Sequence, residues 1–189
     1  FHLAGQPLVF ESYKKPLLTF DINFRGTLNV LESSRNSKFV KSIVSITSDK
    51  CYENKGWTRG YKENDVLGGV DPYSASKASS DHLVFSYVRT FNLNCIITNC
   101  SNNYGPYQFP EKLIPLVIHN AIAGESLPIY GDGKQIRDWI YVKDHCTAIR
   151  CVLSKGSLGE MYNIGGNKEM ENISIVNILC DLLDEIHPK

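Results

Sequence analysis

The sequence has no excess of either charge: 20 Lys and Arg stand against 20 Asp and Glu. That balance removes any global electrostatic case for nucleic acid or an anionic membrane, and neither is expected as a partner. Any anionic ligand must be held by a few local residues. Long hydrophobic runs are also absent; the longest, such as LIPLVI from Leu113, fall far short of the roughly 20 residues that span a bilayer. Phe1 is not an initiator and FHLAG has no basic leader, so no signal peptide is expected. Six cysteines are present, but none forms a CxxC pair and none stands at zinc-like spacing from the five scattered histidines. No metal site is expected. Cys95, Cys100, Cys151 and Cys180 lie in or beside apolar runs and read as small hydrophobes in a reducing, cytoplasmic setting. The last absence is a GxGxxG loop after a strand: Gly68–Gly69 and Gly165–Gly166 do not open helices in the required way.

What is present describes a globular chain of 189 residues, 42% apolar and 21% charged, long enough to build a sizeable core. Its elements alternate. FHLA reads as the end of a short strand, and Pro16–Ser34 carries apolar residues at helical spacing. KFVKSIVSIT is β-branched and reads as a strand. A glycine-containing polar loop follows, then DPYSASKASSDHLVFSYVRTF, a helix with Asp71 as N-cap and Pro72 at its first position. NCIITNC is a strand, PEKLIPLVIHNAIAG a helix ended by Gly124, and SLPIY a short strand. Val142–Ser154 is a helix, EMYNIG a strand, and Ile173–Ile186 a last amphipathic helix. Such alternation implies parallel βαβ units covered on both faces. Because the chain opens on what reads as the last part of a strand, the first βαβ unit is expected to be missing.

Two places carry chemistry. Tyr73 and Lys77 are four apart on a predicted helix and share a face, where an ammonium lowers the pKa of a phenol toward that of a general base. Tyr-x-x-x-Lys alone is a weak signal, and Tyr130/Lys134 is a second match; the glycines of YGDGK argue against a helix there. The other place is the end of the strand before the Tyr73 helix, where IVSIT runs into Ser48, Asp49 and Lys50. Ligands of open α/β sheets sit at that end of a strand. A solvated strand end with ordinary turn residues is the plain alternative.

This Ser…Tyr-x-x-x-Lys arrangement resembles the extended, nucleotide-sugar branch of the short-chain dehydrogenase/reductase superfamily. TSDKCYENKGWTRGYKENDVLGGVDPYSASK resembles CDP-glucose 4,6-dehydratases, as does the opening FHLAGQPLV. TNCSNNYGPYQFPEKLIPLVI, LPIYGDGKQIRDWIYVKDH and YNIGGNKEMENI resemble dTDP-glucose 4,6-dehydratases. The resemblance implies an α/β fold with a Rossmann-like, NAD(P)-binding, doubly wound parallel sheet, and part of a smaller substrate-binding domain. Residues 1–108 and 138–164 would form the first, and 109–137 and 165–189 the second. It implies a hydro-lyase that oxidises glucose at C4, eliminates water across C5–C6 and reduces C6. NAD is the implied cofactor, a nucleoside-diphosphate glucose (dTDP-glucose ahead of CDP-glucose) the substrate, and a homodimer the assembly.

Residue by residue, the resemblance makes Tyr73 the C4 base, with Lys77 on the nicotinamide ribose. Ser48, with Thr47 as a substitute, orients the C4 hydroxyl, and Asp49 is the acid for the C6 oxygen. Lys50 stands where dTDP-glucose enzymes have a glutamate as C5 base; it would take that proton or stabilise the enolate. Leu3, Ala4, Gly5 and Asn103 match cofactor contacts, and Asn23 matches an asparagine behind the active site. Asn102, Lys112, Leu113, Pro128, Ile129, Tyr130, Arg137 and Asn172 match the positions that hold the nucleoside diphosphate. Two departures from the dTDP pattern, Pro7 for a serine and Lys50 for the glutamate, agree with the CDP-glucose family. A nucleotide-sugar 4-epimerase shares Ser, Tyr and Lys but needs no acid–base pair for elimination. An inactive fragment or hybrid is the non-enzymatic alternative.

Overall fold

A computed structural model describes residues 1–186; the last three positions of the expected second domain lie outside them. The chain divides into two compact units, residues 1–100 with 147–164 and residues 101–146 with 165–189. The reading from sequence placed these boundaries at 108 and 138.

The first unit is built on a parallel sheet in the order β1 (Ile43–Ser48), β2 (Cys95–Cys100), β5 (Met161–Ile164). β2 is buried along nearly its whole length, which is what a parallel strand covered on both faces requires. FHLA contributes only a bridge: His2 N–H donates to Val44 O and Ile46 N–H to His2 O, alongside Ser45. The expected strand from Lys38 begins only at Ile43, because Lys38–Ser42 find no strand partner and Phe39 stands 92% exposed. The core gathers Leu31, Ile43, Val84, Cys95, Ile97 and Met161 around the sheet, with Cys51, Tyr52, Ala78 and Tyr87 packed among them.

A short α1 (Val9–Lys14) precedes the predicted helix, which forms as α2 (Pro16–Phe20), a π-helical turn (Asp21–Arg25) and α3 (Gly26–Arg35) in one run. The π turn has a local cause. It presents Asn23 inward, 2% exposed, and its backbone carbonyl accepts from Thr27 Oγ1 at 2.6 Å and Ser80 Oγ at 3.0 Å. The Asn23 side chain accepts from Gln6 N–H at 2.7 Å and donates to Ser76 Oγ at 2.8 Å. One amide thus joins the 3–7 turn, the α2–α3 run and the long α4 (Pro72–Phe91). α4 starts as expected, with Asp71 Oδ1 capping Ser74 N–H at 2.9 Å and Pro72 in the first turn. It stops at Asn92 in the left-handed region.

The second unit has a sheet in the order β3 (Asn102–Tyr104), β4 (Ile136–Tyr141), β6 (Glu169–Glu171), parallel in the first pair and antiparallel in the second. α5 (Leu113–Ala123) packs against α7 (Asn172–Ile186) through Val117 and Val176, both buried. Gly124, at φ +71°, ends α5 in the left-handed conformation that glycine adopts without cost. SLPIY, expected as a strand, does not form one, and Pro128 has no N–H to offer a ladder. The strand of this region is β4 instead. α6 (Val142–Lys155) carries the chain from this unit back to the first. Among the described residues no helix is long and apolar enough to cross a membrane.

Replacing Asn23 by Ala should destabilise the protein by roughly 1–3 kcal/mol for each buried partner left unsatisfied, Gln6 N–H first. Urea unfolding measures it; an unchanged midpoint would show that Asn23 does not hold the three segments together.

Candidate functional site

Strand β1 delivers the chemistry of the first unit at its carboxyl end. Ser48 is the N-cap of a single 3-10 turn, Asp49–Cys51, and its Oγ accepts from Lys50 N–H at 3.3 Å. The same hydroxyl donates to Asp49 Oδ1 at 3.2 Å and is near enough to the Tyr73 phenol to lower its pKa. Ser48 and Asp49 are partly buried and Lys50 is exposed. Thr47 does not share this position. Side chains alternate along a strand, and its hydroxyl sits 2.6 Å from Asn99 Oδ1, in the interior. Of the two hydroxyls considered from sequence, only that of Ser48 acts on Tyr73.

Tyr73 and Lys77 occupy the first two turns of α4. Burial pushes the Tyr73 phenol well above its ordinary pKa; the Ser48 hydrogen bond pulls it back, and the Asp49 and Asp71 charges add to the rise. The expectation of a lowered phenol pKa is therefore reversed in this structure, because the ring is 7% exposed and desolvation outweighs its polar neighbours. Burial also lowers the pKa of Lys77, while Asp81 raises it.

The turn Leu3–Gly5 runs beside that lysine. Leu3 and Ala4 are exposed, and a Cβ on Gly5 would lie 3.0 Å from Lys77 Nζ and 3.2 Å from Asn23 Oδ1. Glycine leaves the lysine and the asparagine their positions. The first unit thus gathers Ser48, Asp49, Lys50, Tyr73, Lys77 and the Leu3–Gly5 turn.

The remaining sequence candidates lie in the second unit. Asn102 and Asn103 are on β3. Asn103 Nδ2 donates to Ser101 O at 3.2 Å, so its Oδ1 faces His145 Nδ1 at 2.8 Å and His145 donates. His145 was not singled out from sequence; one histidine near a strand–helix junction carries no pattern. Burial lowers its pKa. Lys112 is the N-cap residue of α5 and Leu113 its first residue. Pro128, Ile129 and Tyr130 lead into a turn through Gly131 and Gly133, both at positive φ, so Tyr130 and Lys134 share no helix. Tyr130 is 57% exposed. Asn172 N–H donates to Gln135 O at 3.1 Å and Ile173 N–H to Gly133 O at 2.9 Å, which ties that turn to the start of α7. Arg137, on β4, donates to Ile136 O at 2.7 Å. The second unit therefore brings Ile129, Tyr130 and the start of α7 at Asn172 around one turn, with Arg137 opposite Met170 on the neighbouring strand pair.

The sequence matches the family model described as GDP-mannose 4,6 dehydratase over residues 1–187. It is 47% identical to a dTDP-glucose 4,6-dehydratase of Xanthomonas campestris pv. campestris, with 100% of this chain and 56% of that protein covered. A crystal structure of dTDP-glucose 4,6-dehydratase from Bacillus anthracis in complex with NAD superposes with a TM-score of 0.85 and 46% identity, over 89% of this chain and 54% of that one. The Streptomyces venezuelae dTDP-glucose 4,6-dehydratase with NAD and TYD bound gives a TM-score of 0.90 at 39% identity, over 96% of this chain and 56% of that one. The chain spans about half the length of the curated relatives it matches (56% for the Xanthomonas protein). These similarities run through both halves, so the division into a CDP-like first part and a dTDP-like second part finds no support in them. With its parallel sheet, its Tyr73–Lys77 helix and a family match over residues 1–187, the chain belongs to the GDP-mannose 4,6 dehydratase family, among the extended short-chain dehydrogenase/reductases of Rossmann-like fold.

Proposed function

We propose that the chain carries the catalytic centre of an NAD-dependent dTDP-glucose 4,6-dehydratase, a hydro-lyase. One observation supports this above the others: Ser48 and Asp49, at the end of β1, both act electrostatically on the buried Tyr73 phenol, and Lys50 follows in the same tight turn. A base, an orienting hydroxyl, an acid and a second proton-handling group are what oxidation followed by elimination demands. The residues also fit the cofactor. The exposed Leu3–Ala4 turn and the Cβ-free Gly5 lie against the Lys77 ammonium, a donor set suited to a ribose hydroxyl. NAD, when bound, supplies the oxidation at C4 and the matching reduction at C6, so turnover leaves no net redox change.

The chain's own groups then divide the proton work. Tyr73 takes the proton of the C4 hydroxyl, which Ser48 orients. The Lys77 charge, one turn further along α4, is assigned to favour the phenolate, which burial and the Asp49 and Asp71 charges oppose. A ketone at C4 acidifies C5–H, and Lys50 acts there, as a base or by stabilising the enolate. Asp49 protonates the departing C6 oxygen, which leaves as water. Asn102, Lys112, Leu113, Pro128, Ile129, Tyr130, Arg137 and Asn172 are proposed to hold the nucleoside diphosphate, with Asn103 on the cofactor. Lys112 and Arg137 supply the positive charge, and Tyr130 and Leu113 supply surfaces for a base. Lys50, which stands where dTDP-glucose enzymes have glutamate, is the observation that favours a second reading, CDP-glucose. The 4-epimerase reading leaves Asp49 and Lys50 without a task.

Tyr73→Phe should lower turnover by at least about a hundredfold, the contribution of a positioned base; a 6-deoxy-4-keto product formed at the parent rate would remove Tyr73 as the C4 base. Lys50→Ala should abolish exchange of the C5 proton with deuterated solvent while C4 oxidation survives; exchange at the parent rate would leave Lys50 without a role in elimination. Ligand-observed NMR with dTDP and CDP decides the base: dTDP is expected to bind more tightly, and a preference for CDP would overturn that choice.

A further inference from the structure

One turn beyond Lys77 on α4 lies Asp81, an acid that the chemistry above does not use. Its side chain is at 0% exposure. The groups facing it are Lys77 from its own helix, Thr47 from β1, Cys51 from the turn after β1, and Asn99 and Cys95 from β2.

Counting hydrogens in this cluster shows who holds the proton. Thr47 Oγ1 lies 2.6 Å from Asn99 Oδ1 and 3.2 Å from Asp81 Oδ2. The far end of Asn99 settles its orientation. Asn99 Nδ2 faces Cys51 Sγ at 3.0 Å and Met161 Sδ at 3.2 Å, and a thioether has no hydrogen to give. The N–H groups therefore point at the sulfurs and Oδ1 at Thr47. Thr47 has one hydroxyl hydrogen, and the shorter contact, to Asn99 Oδ1, takes it. The contact between Thr47 and Asp81 then needs a hydrogen from Asp81 itself. Asp81 Oδ1 meets no hydrogen-bond donor, which a neutral carbonyl oxygen tolerates far better than a carboxylate. Burial works the same way, pushing the Asp81 pKa up to about 7 against the pull of the neighbouring Cys51 thiol, the Thr47 hydroxyl and the Lys77 charge.

We propose that Asp81 is a positioning residue that keeps its proton in the folded protein well past the pH at which ordinary aspartates ionise: its acid O–H donates to Thr47 Oγ1, holding the end of β1 just before Ser48 and, while the proton is held, leaving the Lys77 ammonium without a carboxylate beside it. The Lys77 charge then acts on Tyr73 undiminished. This consequence for Tyr73 rests on the dehydratase reading; the protonation of Asp81 does not.

The first test is carbon NMR of the chain labelled at the aspartate carboxyls. One resonance, absent from Asp81→Asn, should stay at its protonated position at about pH 6, where ordinary aspartates have ionised. All carboxyls ionised by then would overturn the proposal, with no variant required. Thr47→Val gives a test of sign. Removing an acceptor from a neutral acid makes Asp81 easier to ionise, whereas removing a donor from a carboxylate makes it harder. The Asp81 resonance should therefore titrate at lower pH in Thr47→Val and as in the parent in Thr47→Ser; titration at higher pH overturns the proposal. In turnover, the rate lost in Thr47→Val should be larger at about pH 6, where only the parent keeps Asp81 protonated, than at about pH 8, where parent and variant both carry the carboxylate. An equal loss at both pH values would mean a merely structural role. If no nucleoside-diphosphate glucose is turned over at all, the dehydratase reading fails while the NMR outcome still judges Asp81.

Discussion

The arrangement of the first unit depends on one buried side-chain amide. Asn23 hydrogen-bonds the backbone of Gln6, the hydroxyl of Ser76 and, through its backbone carbonyl, Thr27 and Ser80. The π turn that carries it is the local cost of this placement, since π geometry is poorer than α geometry. The return is position. Gln6 belongs to the turn that passes Lys77, and Ser76 is the residue before Lys77 on α4. An amide serves here because it donates and accepts at once and carries no charge whose burial would cost several kcal/mol.

Around that amide the protein buries groups that polypeptides ordinarily keep wet. Tyr73, Lys77 and Asp81 follow one another at intervals of four along α4, on one face of the helix. Desolvation dominates all three: it raises the phenol, lowers the ammonium and raises the acid, so each is pushed toward its neutral form. A phenol above its usual range is a poor base by itself. On the proposed mechanism Tyr73 needs positive charge beside it, and the proposed balance between Lys77 and Asp81 would set how much of it the lysine supplies. Ser48 and Thr47 divide the other side of the problem, one hydroxyl toward the phenol and the other toward the buried acid, because adjacent strand residues face opposite ways.

Much of this is legible in the chain itself. Asp71-Pro72 marks the start of α4 by cap chemistry and Gly124 the end of α5 by backbone freedom, and both stand where those signals put them. The run from Cys95 to Cys100 is too apolar and β-branched to be anything but a covered strand. Other elements escape for physical reasons. IRDWIY forms β4 although Arg137 and Asp138 interrupt its apolar pattern; Asp138 instead accepts from the backbone N–H groups of Gly166 and Lys168, a use that appears only after folding. SLPIY has the composition of a strand but forms none; its Tyr130 carbonyl serves the turn at Gly133 instead. VFESYK is too short for its period to show as a helix.

Sequence alone determined which groups the chemistry has available: Tyr73 and Lys77 at helical spacing, and a hydroxyl, a carboxylate and an ammonium at the end of a strand. Spacing along a chain is enough for that, because helices and strands convert it directly into a shared face. Tertiary structure decided what those groups are worth. It chose Ser48 over Thr47, set the Leu3–Gly5 turn against Lys77, and gathered Thr47, Cys51, Asp81, Asn99 and Met161 into one dry cluster. Those residues come from segments as much as 114 positions apart. No local pattern foretells such a meeting, and protonation follows from burial and from counting hydrogens, both of which exist only once the chain has folded.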